Sequence, residues 1–361
     1  VQSSTLVDNL RVLRRVYEWA ATVGGFELDD FPTSGQRLDA RQIESLAAYL
    51  RMANRALTAC GATCDSELRN EMGTIDAGTF DHQLSVAENF LKWSLDSANR
   101  GGVSALSIAQ LGSERSHLEL LFKSLRIGAR PAERREPLEE PEIAAIRIAI
   151  GPRRSSHSEW VFSDNVFAKQ TRLRNWLMFE TALNLGLRRG ELLKLRLDCL
   201  PRGSDDGIRV LRLPDDPGDS RTREPAVKTA ERVIPAPRQL LAAFRAYLTL
   251  PLPLGRAAGM SPYLFVTGSG NPVSLDTADD IITAIGRYSG VAHLSWHRLR
   301  HTWAERMADL LADQTNGIDK LIYLGGWTDP ASARHYIQRA IAKQARESFR
   351  SYHDRLYGEA K

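Results

Sequence analysis

Residues Ala129-Arg130-Pro131-Ala132-Glu133-Arg134-Arg135-Glu136-Pro137 suit neither a helix interior nor a packed strand, and they divide the chain. Each proline removes a backbone donor and fixes φ, and the charges between them keep the segment in water, so it reads as a linker. On its N-terminal side, over residues 1–128, apolar side chains recur at helical spacing. Leu6, Leu10, Leu13, Val16, Trp19 and Ala20 set out an amphipathic helix over 5–23. Arg11, Arg14 and Arg15 decorate its remaining surface and fit a solvated face or phosphate contacts alike. The loop Phe31-Pro32-Thr33-Ser34-Gly35 and an N-cap at Asp39 precede a second helix over 40–58. Two more helices are expected at 79–99 and 104–127, after a turn-rich connection over 59–78. Four helices without strands predict a small all-α domain.

Beyond Pro137 the pattern is mixed. A domain starting near Leu138 opens with Pro141 at a helix N-terminus and acidic residues in its first turn. An apolar helix over 169–184 (Trp176, Leu177, Phe179, Ala182, Leu183) follows. Ile208 to Leu213 alternates apolar and basic residues as a half-exposed strand does. Asp215 to Glu224 is a polar loop, and Val227 with Val233-Ile234 flanks a turn at Lys228 and completes a small sheet. Helices at 237–248 and 275–288, then helical segments around His297, Lys320 to Leu324 and Tyr336, finish the domain. The expected fold class is mainly α with a small antiparallel β-sheet in this second domain, residues 138–340, and a tail helix over 341–361.

The chain's 361 residues suffice for two cores. No run of about 18 apolar residues is present, so no membrane span is expected. Cys60, Cys64 and Cys199 make no disulfide framework, Cys60 and Cys64 read as structural thiols and not a metal site, and a reducing cytoplasm fits. The start, Val1-Gln2-Ser3-Ser4, carries neither Met nor a signal-peptide pattern and is read as the interior of a longer chain. Residues 1–130 carry 14 Lys and Arg against 16 Asp and Glu, and the remainder 34 against 28. The basic excess therefore lies in the second domain. It permits nucleic-acid binding without demonstrating it.

The chemistry-bearing residues also fall there. In Ser-Trp-His-Arg-Leu-Arg-His-Thr, residues 295 to 302, His297 and Arg300 share one helical face and can point at one oxyanion. Leu-Gly-Gly-Trp at 324 to 327 follows, and Tyr336 stands nine residues after Trp327 as a candidate nucleophile. Upstream lie Gly186-Leu187-Arg188-Arg189-Gly190-Glu191-Leu192 and Lys228-Thr229-Ala230-Glu231-Arg232. Gly-x-Arg-x-x-Glu-Leu, a turn lysine, His-x-x-Arg, Leu-Gly-x-Trp and a tyrosine, in that order over residues 131 to 340, resemble the tyrosine recombinases of the phage integrase family.

The residue types suit phosphoryl transfer. Arg188 and Arg300 offer fixed forks of donors to non-bridging oxygens. His297 can donate to the phosphate or accept the tyrosine proton. Trp327 offers an N–H and a flat apolar wall but cannot move a proton. Lys228 suits a general acid for the departing 5′-oxygen, with Lys194 and Lys169 as rivals. Tyr323 is the nearest rival to Tyr336. Glu191 is assigned to holding Arg188, His297 or a neighbouring amide, and Arg189 and His301 to support. His335 could tune Tyr336 or be a surface side chain. Nothing calls for a metal or other cofactor. The resemblance implies a two-domain clamp, with a helical, SAM-like core-binding domain closing over DNA opposite the catalytic domain. It also implies a covalent 3′-phosphotyrosine, strand exchange through a Holliday junction in a homotetramer on paired recognition sites in double-stranded DNA, and a nucleoid location in bacteria. It leaves room for accessory DNA-bending proteins. A type IB topoisomerase and a non-catalytic DNA-binding relative are the rival readings. The tail stripe Ile337, Ile341, Ala345, Phe349, Tyr352 and Leu356 is expected to pack on a neighbouring subunit.

Overall fold

The computed structural model describes residues 3–31, 38–52, 74–100, 108–128, 136–154, 160–203, 205–227, 229–249 and 261–358. Two compact units are present, Ser3–Arg134 and Arg135–Lys361. Cys60, Cys64, Lys228 and residues 129–135 of the expected linker lie outside the described residues. Glu136 is tied into the second unit: its carbonyl accepts from Arg298 Nε at 2.8 Å.

In the first unit α1 (Ser3–Trp19), α2 (Ala40–Arg51), α3 (Ala77–Arg100) and α4 (Ile108–Leu125) enclose one core. Asp39 accepts from Gln42 N–H at 2.8 Å, and the Gln42 amide oxygen accepts from Asp39 N–H, which caps α2 from both sides. The buried face of α1 is rotated from the one its leucines marked. Val12, Val16 and Trp19 are buried, while Leu6 and Leu10 are half exposed. Arg15 also turns inward rather than decorating the surface. Its guanidinium donates to the carbonyls of Tyr49 and Met52 at 2.7 and 2.9 Å, at the end of α2. A buried cation is affordable there because the last helical carbonyls need donors. Burial pushes the Arg15 pKa down. Helix α2 ends at Arg51, short of the expected 58; Met52 is extended and bridges Thr74.

The second unit is built around α6 (Arg172–Leu185), every residue of which from Leu173 to Leu183 is buried. Helix α5 (Glu140–Ile150) is latched to it by Arg147, whose Nε and Nη2 each donate to Glu180 at 2.8 Å. The sheet content is smaller and more divided than one three-part sheet. The pair β1 (Pro152–Arg154) and β2 (Trp160–Phe162) was not foreseen; it is antiparallel, as is the pair β3 (Gly207–Val210) and β4 (Arg232–Pro235). Val227 is buried but lies outside any strand, in the long connection between β3 and β4. That connection is anchored by buried ion pairs. Lys194 Nζ bonds the Glu224 carboxylate and, at 2.9 Å, the Pro214 carbonyl. Arg221 pairs with Asp219 and donates to the carbonyls of Leu193 and Val273 at 3.1 and 3.2 Å. Lys194 is thereby committed to structure.

Helices α7 (Arg189–Leu193), α8 (Arg238–Thr249), α9 (Leu275–Ser289), α10 (Trp296–Leu311), α11 (Gly317–Gly325) and α12 (Ala331–Tyr357) complete the unit. The tail is not a separate element, because α12 runs unbroken from before Tyr336 to Tyr357. Cys199 is buried, which pushes its thiol pKa up. No described helix is long and apolar enough to cross a membrane.

Candidate active site

A turn of chain places the first arginine. Helix α6 ends at Gly186, whose φ of 60° is left-handed and whose N–H closes on Ala182 O at 3.0 Å. A Cβ there would lie 2.2 Å from the Trp303 ring, so glycine is required by both conformation and space. Arg188, two residues on, is the N-cap of α7, and its backbone N–H donates to Glu191 Oε2 at 2.7 Å. Glu191 is 3% exposed, and its carboxylate lies under several donors. Arg232 Nη1 reaches Oε1 at 2.7 Å, Arg232 Nη2 reaches Oε2 at 3.2 Å, and the Thr229 hydroxyl donates to Oε1. Burial alone would raise the Glu191 pKa. The Arg232 hydrogen bonds and charge, with Arg300 and Thr229, outweigh it and hold the pKa below its ordinary value. Arg232 Nε also donates to Leu324 O at 2.7 Å, and Ala230 N–H to Gly326 O at 3.3 Å. Residues 229–232 are therefore fastened to both Glu191 and the Leu-Gly-Gly-Trp turn.

Arg300 projects from α10 into the same place and is 4% exposed. Its Nη1 donates to Gly186 O at 2.7 Å and its Nη2 to Gly325 O at 2.6 Å. The glycines of two separate motifs thus serve one guanidinium. Nη1 lies 3.8 Å from Glu191 Oε2, and the guanidinium carbon sits 4.6 Å over the Trp327 ring. Burial, and then the charge of Arg188, push the Arg300 pKa down to about 9, which leaves it charged at neutral pH. Burial also lowers the pKa of Arg188. Tyr336 acts on both arginines in the opposite direction, which places it within their field.

Tyr336 lies on the first turns of α12 and is 5% exposed. Its ring centroid is 5.9 Å from that of Trp327, and its hydroxyl is hydrogen-bonded to His301 Nδ1. His301 Nε2 lies 2.8 Å from His297 Nε2. Three side chains thus form a line from a buried phenol through a half-buried imidazole to an exposed one. Among the described residues no group of three or more His, Cys, Asp or Glu is placed to hold a metal ion.

A profile of the phage integrase family matches residues 161–343, just over half of the chain and every one of these side chains. The chain belongs to the phage integrase family. It is a tyrosine-type DNA breaking-and-rejoining enzyme. The integrase is similar in fold to the Tn1549 transposon integrase solved with transposon right-end DNA, at a TM-score of 0.56 and 16% identity over 96% of this chain and 95% of that one. The same transposon integrase with a circular intermediate DNA gives 0.53 and 15% over 96% and 94%. A lambda integrase fragment, solved as a dimer bound to a COC′ core site, gives 0.51 and 14% over 93% and 89%. No curated protein sequence matches the integrase.

Of the residues the sequence singled out, Arg188, Glu191, Arg300, His301, Trp327 and Tyr336 converge in the integrase. His297 joins at one remove, through His301, and Lys228 lies outside the described residues. The sequence reading missed Arg232. Its signal was available: in Arg232-Val233-Ile234, the Arg shares the inward register with Ile234, and a buried Glu191 needs a cation. Tyr323 is no rival nucleophile, since it is half exposed and its hydroxyl accepts from Val233 N–H at 3.2 Å.

Proposed function

We propose that the integrase is a site-specific recombinase that cuts each strand with Tyr336, holds it as a 3′-phosphotyrosyl ester and rejoins it to a partner strand. The observation that carries this reading is the buried Tyr336 hydroxyl, set beside His301 and Trp327 within the field of Arg188 and Arg300. Arg188 and Arg300 supply the positive charge beside that hydroxyl that an attacking phenol oxygen and a phosphate both need. Arg188 and Arg300 take the non-bridging oxygens of the scissile phosphate, Trp327 walls the site, and Glu191 with Arg232 sets the angle of Arg188 and of the Lys228 segment. Lys228 protonates the departing 5′-oxygen. The substrate is double-stranded DNA with paired recognition sites, acted on by a homotetramer through a Holliday junction, with room for accessory DNA-bending proteins. The helical domain, residues 1–128, and the catalytic domain, residues 138–340, both bind the DNA, and the protein works in the bacterial nucleoid. The Tn1549 transposon integrase and the lambda integrase fragment, each solved with DNA, support the choice of partner.

The test is a denaturant-stable protein–DNA adduct on duplexes taken from DNA flanking the coding region, chosen for imperfect inverted repeats. Absence of any adduct with the wild type overturns the reading. Relaxation of a supercoiled plasmid carrying a single site, without recombination between two, would instead make it a topoisomerase. Arg300→Ala is expected to slow cleavage by ~10²–10³, the scale of one lost oxyanion donor. Arg300→Lys rescues little because the fork is lost. DNA affinity, measured by gel shift, falls little in either variant, since many other phosphate contacts remain.

The tail supplies the link between subunits. Ile337 is buried at home, but Ile341, Phe349, Tyr352 and Leu356 are exposed on α12. Deleting residues 342–361 is expected to leave single-site binding intact and to weaken assembly on paired sites. Loss of folding of the isolated chain would show that the stripe belongs to its own core.

A further inference from the structure

Resting on the reading of Tyr336 as nucleophile, we infer that His301 is the catalytic base that takes the Tyr336 proton, and that His297 is the outer half of a two-histidine relay. The sequence pattern pointed at His297 for this work, because His-x-x-Arg aligns it with Arg300. The geometry assigns the contact differently. His301 Nδ1 bonds the Tyr336 hydroxyl, and His301 Nε2 faces His297 Nε2 at 2.8 Å, with the two imidazole centroids 4.3 Å apart and edge to face. His297 and His301 are four residues apart on α10, one turn along the same face, and Tyr336 comes to them on α12.

A neutral imidazole has one N–H and one lone pair, so the hydrogen bonds along this line of atoms can be donated in either direction, and the relay uses the one that runs outward from Tyr336. With Tyr336 protonated, its O–H donates to the Nδ1 lone pair of His301. His301 then carries its own proton on Nε2 and donates it to the Nε2 lone pair of His297. As the phenol oxygen attacks phosphorus, its O–H bond breaks and an N–H bond forms at His301 Nδ1. The Nε2–H bond of His301 breaks and an N–H bond forms at His297 Nε2. The 5′-oxygen–phosphorus bond breaks with its electron pair on oxygen, which the general acid of the proposed mechanism protonates. His301 ends neutral and His297 ends as imidazolium; reversal of the same shifts serves rejoining.

Two physical reasons favour passing the proton on. Tyr336 lies in the field of two guanidiniums, so a third cation left against it would be repelled by them. His297 is exposed, so water can screen the charge and exchange the proton, whereas Tyr336 is only 5% exposed.

The relay is tested on DNA whose bridging 5′-oxygen at the cut site is sulfur, so that protonation of the leaving group does not limit the rate and activation of the nucleophile does. His301→Gln keeps a donor and an acceptor but cannot carry a proton. It is expected to lower the rate of adduct formation by about 10², the lower end for a lost acid–base group. His297→Gln, at an exposed position that leaves folding intact, is expected to show a smaller loss. Incorporating a fluorinated tyrosine of lower pKa at position 336 should restore much of the rate in both histidine variants and none in Arg300→Ala. Wild-type rates for His301→Gln, or for His297→Gln, overturn the relay, as does failure of the fluorinated tyrosine to rescue. If the wild type itself forms no adduct, the recombinase reading falls, which separates that failure from failure of the relay.

Discussion

Tyr336→Phe is expected to form no covalent adduct on any DNA, while Lys228→Ala is expected to regain cleavage when sulfur replaces the bridging 5′-oxygen at the cut site. The phenylalanine keeps the ring against Trp327, 5.9 Å away, and removes only the hydroxyl that bonds His301. No group remains to displace the 5′-oxygen, so the substrate's leaving group is irrelevant. Lys228→Ala fails on ordinary DNA for another reason, because the 5′-alkoxide must leave unprotonated. A thiol has a pKa near 8.5, so the thiolate leaves without a donor. Sulfur should therefore rescue Lys228→Ala and leave Tyr336→Phe dead and Arg300→Ala slow.

Two outcomes would redirect the assignment. If Lys228→Ala stays inactive on the sulfur substrate while the wild type cuts it, Lys228 is not the general acid. Lys194 does not inherit the role, because the residue is 3% exposed and its ammonium is committed to Glu224 and the Pro214 carbonyl. His297, at the solvent end of the histidine line, becomes the next proton donor to test.

What the sequence disclosed, and what it hid, divides along physical lines. Motifs whose residues act through local geometry were legible. His297 and His301 share a face because they are four apart on a helix, and Gly186 ends a helix because only glycine sits easily at its φ. Contacts made across the chain were not. Nothing local says that the Gly186 and Gly325 carbonyls meet on Arg300, or that His301 and not His297 touches Tyr336. Charge misled in the same way. Arg15, Arg221 and Arg232 look like solvated surface in a sequence, yet all three are buried, each on carbonyls or a carboxylate that only the fold brings near. Alternation exposes a buried arginine only when the strand is known; in β4 the inward register holds just Arg232 and Ile234.

Arg232→Ala is expected to destabilise the catalytic unit by about 3–5 kcal/mol at pH 7, the usual cost of stranding one partner of a buried ion pair. The side chains of Arg232 and Glu191 are 0% and 1% exposed, so water cannot replace the lost cation. The variant has a signature in pH that loss of packing would lack. In the wild type Glu191 is held below its ordinary pKa of 4.5, so its contribution is fully present above that pH and is lost only as pH falls through the lower folded value. In the variant the desolvation opposing ionisation is no longer outweighed, and the folded-state pKa should rise above that of the unfolded chain. The penalty is then largest at neutral pH and is relieved as the carboxyl takes up a proton on acidification. Urea denaturation of both proteins from pH 7 down to about 4.5 should therefore show the gap between them narrowing, with the wild-type curve gaining nothing from Glu191 over that range. Adding Glu191→Gln to Arg232→Ala should abolish the narrowing, since no charge is left to strand. A gap that stays constant with pH would mean that Arg232 stabilises through its bonds to the Leu324 and Ala230 carbonyls, and that Glu191 is held by Thr229, Arg188 and Arg300 without it.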